Sequence, residues 1–148
     1  MRAWRTLREA CVHRVAVGKT ADALELPFSI LDDGTPERAA IVGLAAGLRA
    51  APTDLCVVLP VDTPLVTAAL LLQLAAACRD AAVPQTGPLP GAYRKRVLPA
   101  LESGERSIRR AIERLDVAAV ELDPALLVNV NTPNDLQRLA QRARARAR

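Results

Sequence analysis

At 148 residues, with 51% hydrophobic and 24% charged residues, the chain is the size of one domain and too apolar to be disordered as a whole. Its net charge of +4 is concentrated in the terminal run Arg142, Arg144, Arg146 and Arg148. Aromatics are confined to Trp4, Phe28 and Tyr93, which gives no stacking platform for single-stranded nucleic acid, and no nucleic-acid partner is expected.

In chain order, Trp4, Leu7 and Cys11 recur at helical spacing, with Arg2, Arg5, Arg8 and Glu9 off the stripe, which predicts an amphipathic helix. His13 to Val17 and Pro27 to Leu31 read as short strands, the second ending in Asp32-Asp33-Gly34. Thr35-Pro36 reads as a helix start, because a Thr hydroxyl accepts from first-turn amides and Pro has no amide to leave unpaired. That helix is expected to run to about Ala50, with Pro52 stopping it.

Leu55-Cys56-Val57-Val58-Leu59 is a continuous apolar run between turn residues, the pattern of a strand covered on both faces, and is expected at the centre of a parallel sheet. Pro60 to Pro64 end it, and Thr67 opens a helix from Ala68 to about Arg79. This richest apolar stretch, Ala68 to Ala77, is broken by Gln73 and is shorter than the ~20 residues of a membrane span. Ala81 to Val83 and Leu89 to Arg94 are weaker strand candidates. Helices near Val97 to Glu102 and Ser107 to Leu115 follow, then a strand from Val117 to Leu122 and an apolar stretch from Leu126 to Val130. Thr132-Pro133-Asn134-Asp135 opens a last helix with a box-like cap.

Strands alternating with helices predict an α/β fold, a mainly parallel sheet with helices on both faces. The organisation expected is one domain over residues 1–137 and an Arg/Ala-rich tail over 138–148. The start has no apolar segment followed by a small-residue cleavage site, so no secretion signal is read and a cytoplasmic location is expected. Cys11, Cys56 and Cys78 are odd in number and far apart, and His13 is the one histidine. They offer neither a disulfide framework nor a zinc spacing.

Ligands of open parallel sheets bind where the strands end, since loops and helix N-termini converge there. Asp62 follows the most apolar strand, flanked by Pro60 and Pro64. A carboxylate so placed suits Mg²⁺ held against phosphates, or simply forms the turn. Asp32 and Asp33 end the preceding strand, with a turn as the competing explanation. Asn129 and Asn131, two apart in extended chain, present both amides on one face. Gly43 and Gly47 lie one helical turn apart, for close packing or for a backbone approach to a ligand. No nucleophile elbow, Gly-x-Gly-x-x-Gly or Walker loop is present.

Leu59-Pro60-Val61-Asp62-Thr63-Pro64 and Asn129-Val130-Asn131-Thr132-Pro133-Asn134-Asp135-Leu136, in that order and after an Asp-Asp turn and a Gly-bearing helix, resemble the molybdenum cofactor guanylyltransferase family from about Val12 to Leu136. The resemblance implies a Rossmann-like three-layer sandwich of the nucleotide-diphospho-sugar-transferase type. It also implies an enzyme that joins GMP from Mg·GTP to molybdopterin and releases pyrophosphate. By position, Asp62 would be the Mg²⁺ ligand, Asp33 and Gly43 would contact the nucleotide, and Asn129 with Asn131 would line the pterin side; Lys19 falls where the family has an asparagine.

The family opens with a strand, a Gly-Gly-x-Ser-x-Arg-Met-Gly loop and a Lys that cradle the triphosphate, and this chain begins at what would be the following helix. Truncation at the N-terminus, through a misplaced start or degeneration, is therefore expected, with impaired catalysis as it stands. Alternative readings are a non-catalytic nucleotide- or cofactor-binding remnant, or a relative using CTP or a sugar phosphate. Without a first strand, His13 to Val17 must pair directly with Leu55 to Leu59 or leave both edges open, and open edges invite self-association.

Overall fold

The computed structural model describes residues 2–19, 22 and 25–146, without the side chains of Leu136 and of residues 142–146. The side chains of the tail arginines Arg142, Arg144 and Arg146 are thus not described, and Arg148 lies outside the described residues altogether. Among the described residues no helix is long and apolar enough to cross a membrane.

Helix α1 (Arg2–Ala10) follows the expected stripe and leads into β1 (Ala16–Gly18). Trp4 stacks on Phe28 with centroids 4.0 Å apart, and the Arg14 guanidinium lies 5.4 Å over the Trp4 ring. Strand β2 (Ile30–Asp32) pairs with β1 in parallel, Val17 opposite Leu31. Helix α2 (Ala40–Ala50) then starts four residues later than Thr35-Pro36 suggested. The Thr35 hydroxyl instead accepts the Glu37 amide at 3.1 Å, and the Lys19 ammonium draws the carbonyls of Thr35 and Glu37 to itself at 2.5 and 2.6 Å. These carbonyls are turned to a distant lysine, and the helix ladder begins only after them.

Strand β3 (Leu55–Val58) leads to α3 (Ala68–Ala77), whose N-cap hydroxyl, Thr67, accepts from Leu70 as its sequence implies. Next come β4 (Ala81–Pro84), β5 (Gly91–Arg94), a 3₁₀ turn at Lys95–Val97, the short helices α4 (Leu98–Leu101) and α5 (Ile108–Ile112), and β6 (Val117–Val120). The apolar stretch at Leu126 begins with a 3₁₀ turn at Pro124–Leu126, and α6 (Pro133–Arg146) closes the described chain.

The strands form two sheets rather than one. β1 and β2 make a two-stranded sheet; the other has the order β3-β5-β4-β6. β5 is antiparallel to both β3 and β4, and β4 is parallel to β6, so β3, β4 and β6 point one way and β5 the other. The expected α/β class holds, as an open mixed sheet with helices. The expectation that Leu55–Leu59 is central does not hold: β3 is an edge strand, paired on one side with β5 and unpaired on the side toward β1.

Pleating sorts the core into two layers. Ala81 and its partner Tyr93 face α2, α4 and α5, joining Ile41, Leu44, Leu48 and Ile112. Ala82 and its partner Ala92 face α3, joining Leu70, Leu71 and Leu74, with Leu7 and Ala10 of α1 packed against them. Tyr93 is fully buried and its hydroxyl donates to the Pro88 carbonyl at 2.5 Å. Burial pushes its pKa far above the usual phenol value. Gly91 permits that arrangement, since a Cβ there would lie 2.6 Å from Tyr93 Cε2 and 2.7 Å from the Pro88 oxygen.

Candidate active site at the strand ends

Lys19, Asp33 and Asp62 follow β1, β2 and β3 respectively. Each therefore stands just beyond the carboxyl end of its own strand. Their environments differ. The Asp33 carboxylate is 7% exposed and its Oδ1 accepts from Lys19 Nζ at 2.5 Å and from the Thr35 amide at 3.3 Å. Lys19 is 13% exposed and is held by three oxygens in all. Spacing alone did not suggest this pair, because the partners come from two strands.

Asp62 is half-buried, and no hydrogen bond or ion pair engages its carboxylate among the described residues. Its backbone is fixed instead: the Thr63 hydroxyl donates to the Pro60 carbonyl at 3.0 Å, and the Asp62 carbonyl accepts the Val130 amide at 2.7 Å. That second bond ties the turn after β3 to the segment carrying Asn129 and Asn131, so two motifs 67 residues apart by number, Asp62 and Asn129, meet in space. Both asparagines are exposed. Beyond them the cap is as expected: Thr132 Oγ1 accepts the Asp135 amide at 3.2 Å, while Asp135 Oδ2 accepts the Thr132 amide at 3.0 Å and its hydroxyl at 2.8 Å. These bonds hold the Asp135 carboxyl below the usual carboxylate range, the Thr132 hydroxyl contributing most.

Asp62 and Gly43 both line a cleft of about 750 Å³ between the two sheets. A Cβ on Gly43 would meet nothing within 4 Å, so of the two expectations for this glycine, close packing is set aside and an open backbone face remains. Asp33, Asn129 and Asn131 do not line the cleft. The structure thus brings Asp62 together with Gly43 across the cleft and with the asparagine segment through the backbone, and leaves Asp33 engaged by Lys19. Among the described residues, no group of three or more His, Cys, Asp or Glu could hold a metal ion unaided. All three cysteines are free and half-buried, with burial pushing each thiol pKa up.

The sequence profile of the MobA-like NTP transferase domain matches residues 1–120. The chain belongs to that family. A molybdenum cofactor guanylyltransferase of Pseudomonas putida is 40% identical over 110 residues, 66% of this chain and 58% of that protein. A probable molybdenum cofactor guanylyltransferase of Chloroflexus aggregans is 32% identical over an alignment covering 92% of this chain and 76% of that protein. The crystal structure of molybdopterin-guanine dinucleotide biosynthesis protein A from Archaeoglobus fulgidus superposes with a TM-score of 0.65 at 27% identity, over 78% of this chain and 68% of that one. The architecture is accordingly that of the nucleotide-diphospho-sugar transferases. The chain spans 58% of the Pseudomonas protein's length.

Proposed function

We propose that this MobA-like chain serves nucleotidyl transfer from GTP to molybdopterin. An oxygen of the acceptor phosphate attacks the α-phosphorus of GTP, the bond from that phosphorus to the bridging oxygen breaks, and pyrophosphate leaves with the electron pair. The observation that carries the reading is the Asp62 carboxylate, half-buried, unengaged by the described residues, and set on the wall of the large cleft. A single free carboxylate fits Mg²⁺ arriving with its nucleotide, because this ion takes one or two carboxylates and completes its sphere with phosphate oxygens and water. When bound, Mg²⁺ supplies neutralisation of the phosphate charge.

The chain's own part is positioning. The bond from Val130 to Asp62 makes the turn after β3 and the Asn129–Asn131 segment one unit, so the backbones that carry the carboxylate and the two amides are tied together. Asn129 and Asn131, exposed and next to Asp62, are suited to hold the acceptor phosphate by donated hydrogen bonds. The open backbone of Gly43 gives the nucleotide room to approach α2. Asp33, bound to Lys19, ties the end of β1 to the loop after β2. Calorimetry with GTP tests the reading. Wild-type affinity should rise at least about tenfold with Mg²⁺, equivalent to ~1.4 kcal/mol, while Asp62→Asn should bind GTP equally with and without the ion and melt at the same temperature. Mg²⁺-dependent affinity retained in Asp62→Asn removes Asp62 from the role, and CTP binding more tightly than GTP reassigns the nucleotide.

A further inference from the structure

β4 and β6 run parallel through four residue pairs, the last being Pro84 opposite Val120, and Pro84 has no amide to donate. The next residue continues the pairing with its side chain. Gln85 Nε2 donates to the Leu122 carbonyl at 2.6 Å, and Gln85 Oε1 accepts the Leu122 amide at 3.0 Å. A carboxamide carries a donor and an acceptor side by side, so Gln85 satisfies both main-chain groups of one residue. No other side chain of this length does so: a glutamate carboxylate only accepts, and methionine donates nothing.

The sheet does not need this contact. Gln85 is exposed, while β4 is paired with β5 and β6 and buried at three of its four positions. What Gln85 holds is the chain that leaves β6. Leu122 is buried and packs with Leu126 and Leu127 on the α3 side of the sheet. Between them the backbone closes on itself: Asp123 Oδ1 accepts the Ala125 amide at 2.9 Å, and the Asp123 and Pro124 carbonyls accept the Leu126 and Leu127 amides at 3.0 and 3.1 Å. This turn leads directly to Asn129 and Asn131. The segment is therefore tied at Leu122 by Gln85 and at Val130 by the Asp62 carbonyl. A segment tied at one point can pivot about it, and a second tie removes that freedom from its backbone. Groups that recognise a ligand need such support, since a displacement of ~0.5 Å already spoils their geometry.

We infer that Gln85 is a positioning residue for the acceptor side of the candidate site, acting through the Leu122–Val130 segment on Asn129 and Asn131. This role rests on the proposed acceptor site at those two asparagines. It separates the two halves of the site. The turn that carries Asp62 has its own internal bond, from the Thr63 hydroxyl to the Pro60 carbonyl, in which Gln85 has no part. Loss of Gln85 thus bears on the acceptor phosphate and leaves the Mg²⁺-dependent hold on the nucleotide as it was.

Two variants of the full chain test the role. Gln85→Met keeps the length of the side chain and removes both bonds; Gln85→Glu keeps an acceptor for the Leu122 amide but turns a carboxylate oxygen to its carbonyl. Both should retain a cooperative thermal melt. Amide exchange followed by NMR should be about tenfold faster at Leu122 and Val130 in each variant and unchanged in β5. Titration with a fluorescent pterin carrying one phosphate monoester should show binding weakened about tenfold, the scale of one lost hydrogen bond, with Mg²⁺-dependent GTP affinity unchanged. In an Asn131→Ala chain, Gln85→Met should cost clearly less pterin phosphate affinity than it does in wild type, the non-additivity of residues that act through one another. A general loosening of the fold would instead give the same loss in both backgrounds. Unchanged Val130 exchange in both variants overturns the inference, as does undiminished pterin phosphate binding or full additivity with Asn131→Ala. A wild-type chain that does not bind the pterin phosphate overturns the acceptor site itself, and the role of Gln85 with it.

Discussion

Lys19 and Asp33 form a largely buried ion pair, and breaking such a pair costs more than its net worth because the remaining charge is stranded. Lys19→Met should therefore destabilise the protein by about 3 kcal/mol in urea unfolding, with Asp33→Leu added in the same chain recovering much of the loss. A single variant within 0.5 kcal/mol of wild type would show that water reaches the stranded carboxylate. Gly91 offers a second residue-scale test. The missing Cβ is replaced by Tyr93 and the Pro88 carbonyl at under 3 Å, so Gly91→Ala must displace a buried ring or the backbone. A loss of roughly 2–3 kcal/mol is expected from overpacking, against no measurable change for Gly87→Ala, whose Cβ would meet nothing within 4 Å.

Among the elements, those with locally written ends were legible in advance. Thr67, Ser107 and Thr132 each cap the helix that follows them, accepting amides at 3.3, 3.4 and 3.2 Å. The start of α2 was not legible, because the groups that delay it are engaged by Lys19 from the end of another strand. Likewise the apolar run Leu55–Leu59 correctly announced a strand, but apolar sequence reports only how much burial a strand is suited to, and whether it has one neighbour or two is decided by residues far along the chain. In the candidate site, Asp62 was legible from its place after a strand between two prolines; the bond linking it to the Asn129–Asn131 segment was not, since no local rule pairs the two. For α6, Thr132→Ala should lower stability by ~1 kcal/mol, while Asn131→Ala leaves the melting temperature and GTP binding unchanged and weakens binding of the pterin phosphate. A large stability loss at Asn131 with acceptor binding intact would make that residue structural. The cap also has a definite pH dependence. Asp135 is a carboxyl whose folded pKa is lowered, so its contribution is fully present above the unfolded value and fades as pH falls through the lower folded one. The Thr132 amide resonance should accordingly titrate below the ordinary carboxylate range, and Thr132→Ala should abolish most of that shift.

At the scale of the whole molecule, the division of the strands into a pair and a quartet predicts uneven resistance to opening. β4 and β5 are buried and paired on both edges, whereas β1 and β2 have one strand neighbour each and leave much of their surface accessible. Native-state hydrogen exchange should find the β4 and β5 amides opening only with global unfolding and the β1 and β2 amides opening at lower free energy, in a separate cooperative unit. Equal opening free energies across all six strands would mean that α2 couples the sheets rigidly.

The reversed strand has a consequence for how the chain is made. Because β5 lies between β3 and β4, the most apolar of the strands finds its hydrogen-bonding partner only in residues 91–94. On a ribosome that delivers the chain from its N-terminus, Leu55 to Val58 must wait, solvated and unpaired, while more than thirty further residues are synthesised and clear the exit tunnel. The closure that relieves this exposure begins with the short-range pairing of β4 with β5, the least costly in loop entropy, and β3 joins a ribbon already formed. Slow elongation between residues 59 and 94 would therefore lengthen the interval in which nascent chains can stick to one another, and a chaperone that binds extended apolar segments would act on this chain during that window and not after it.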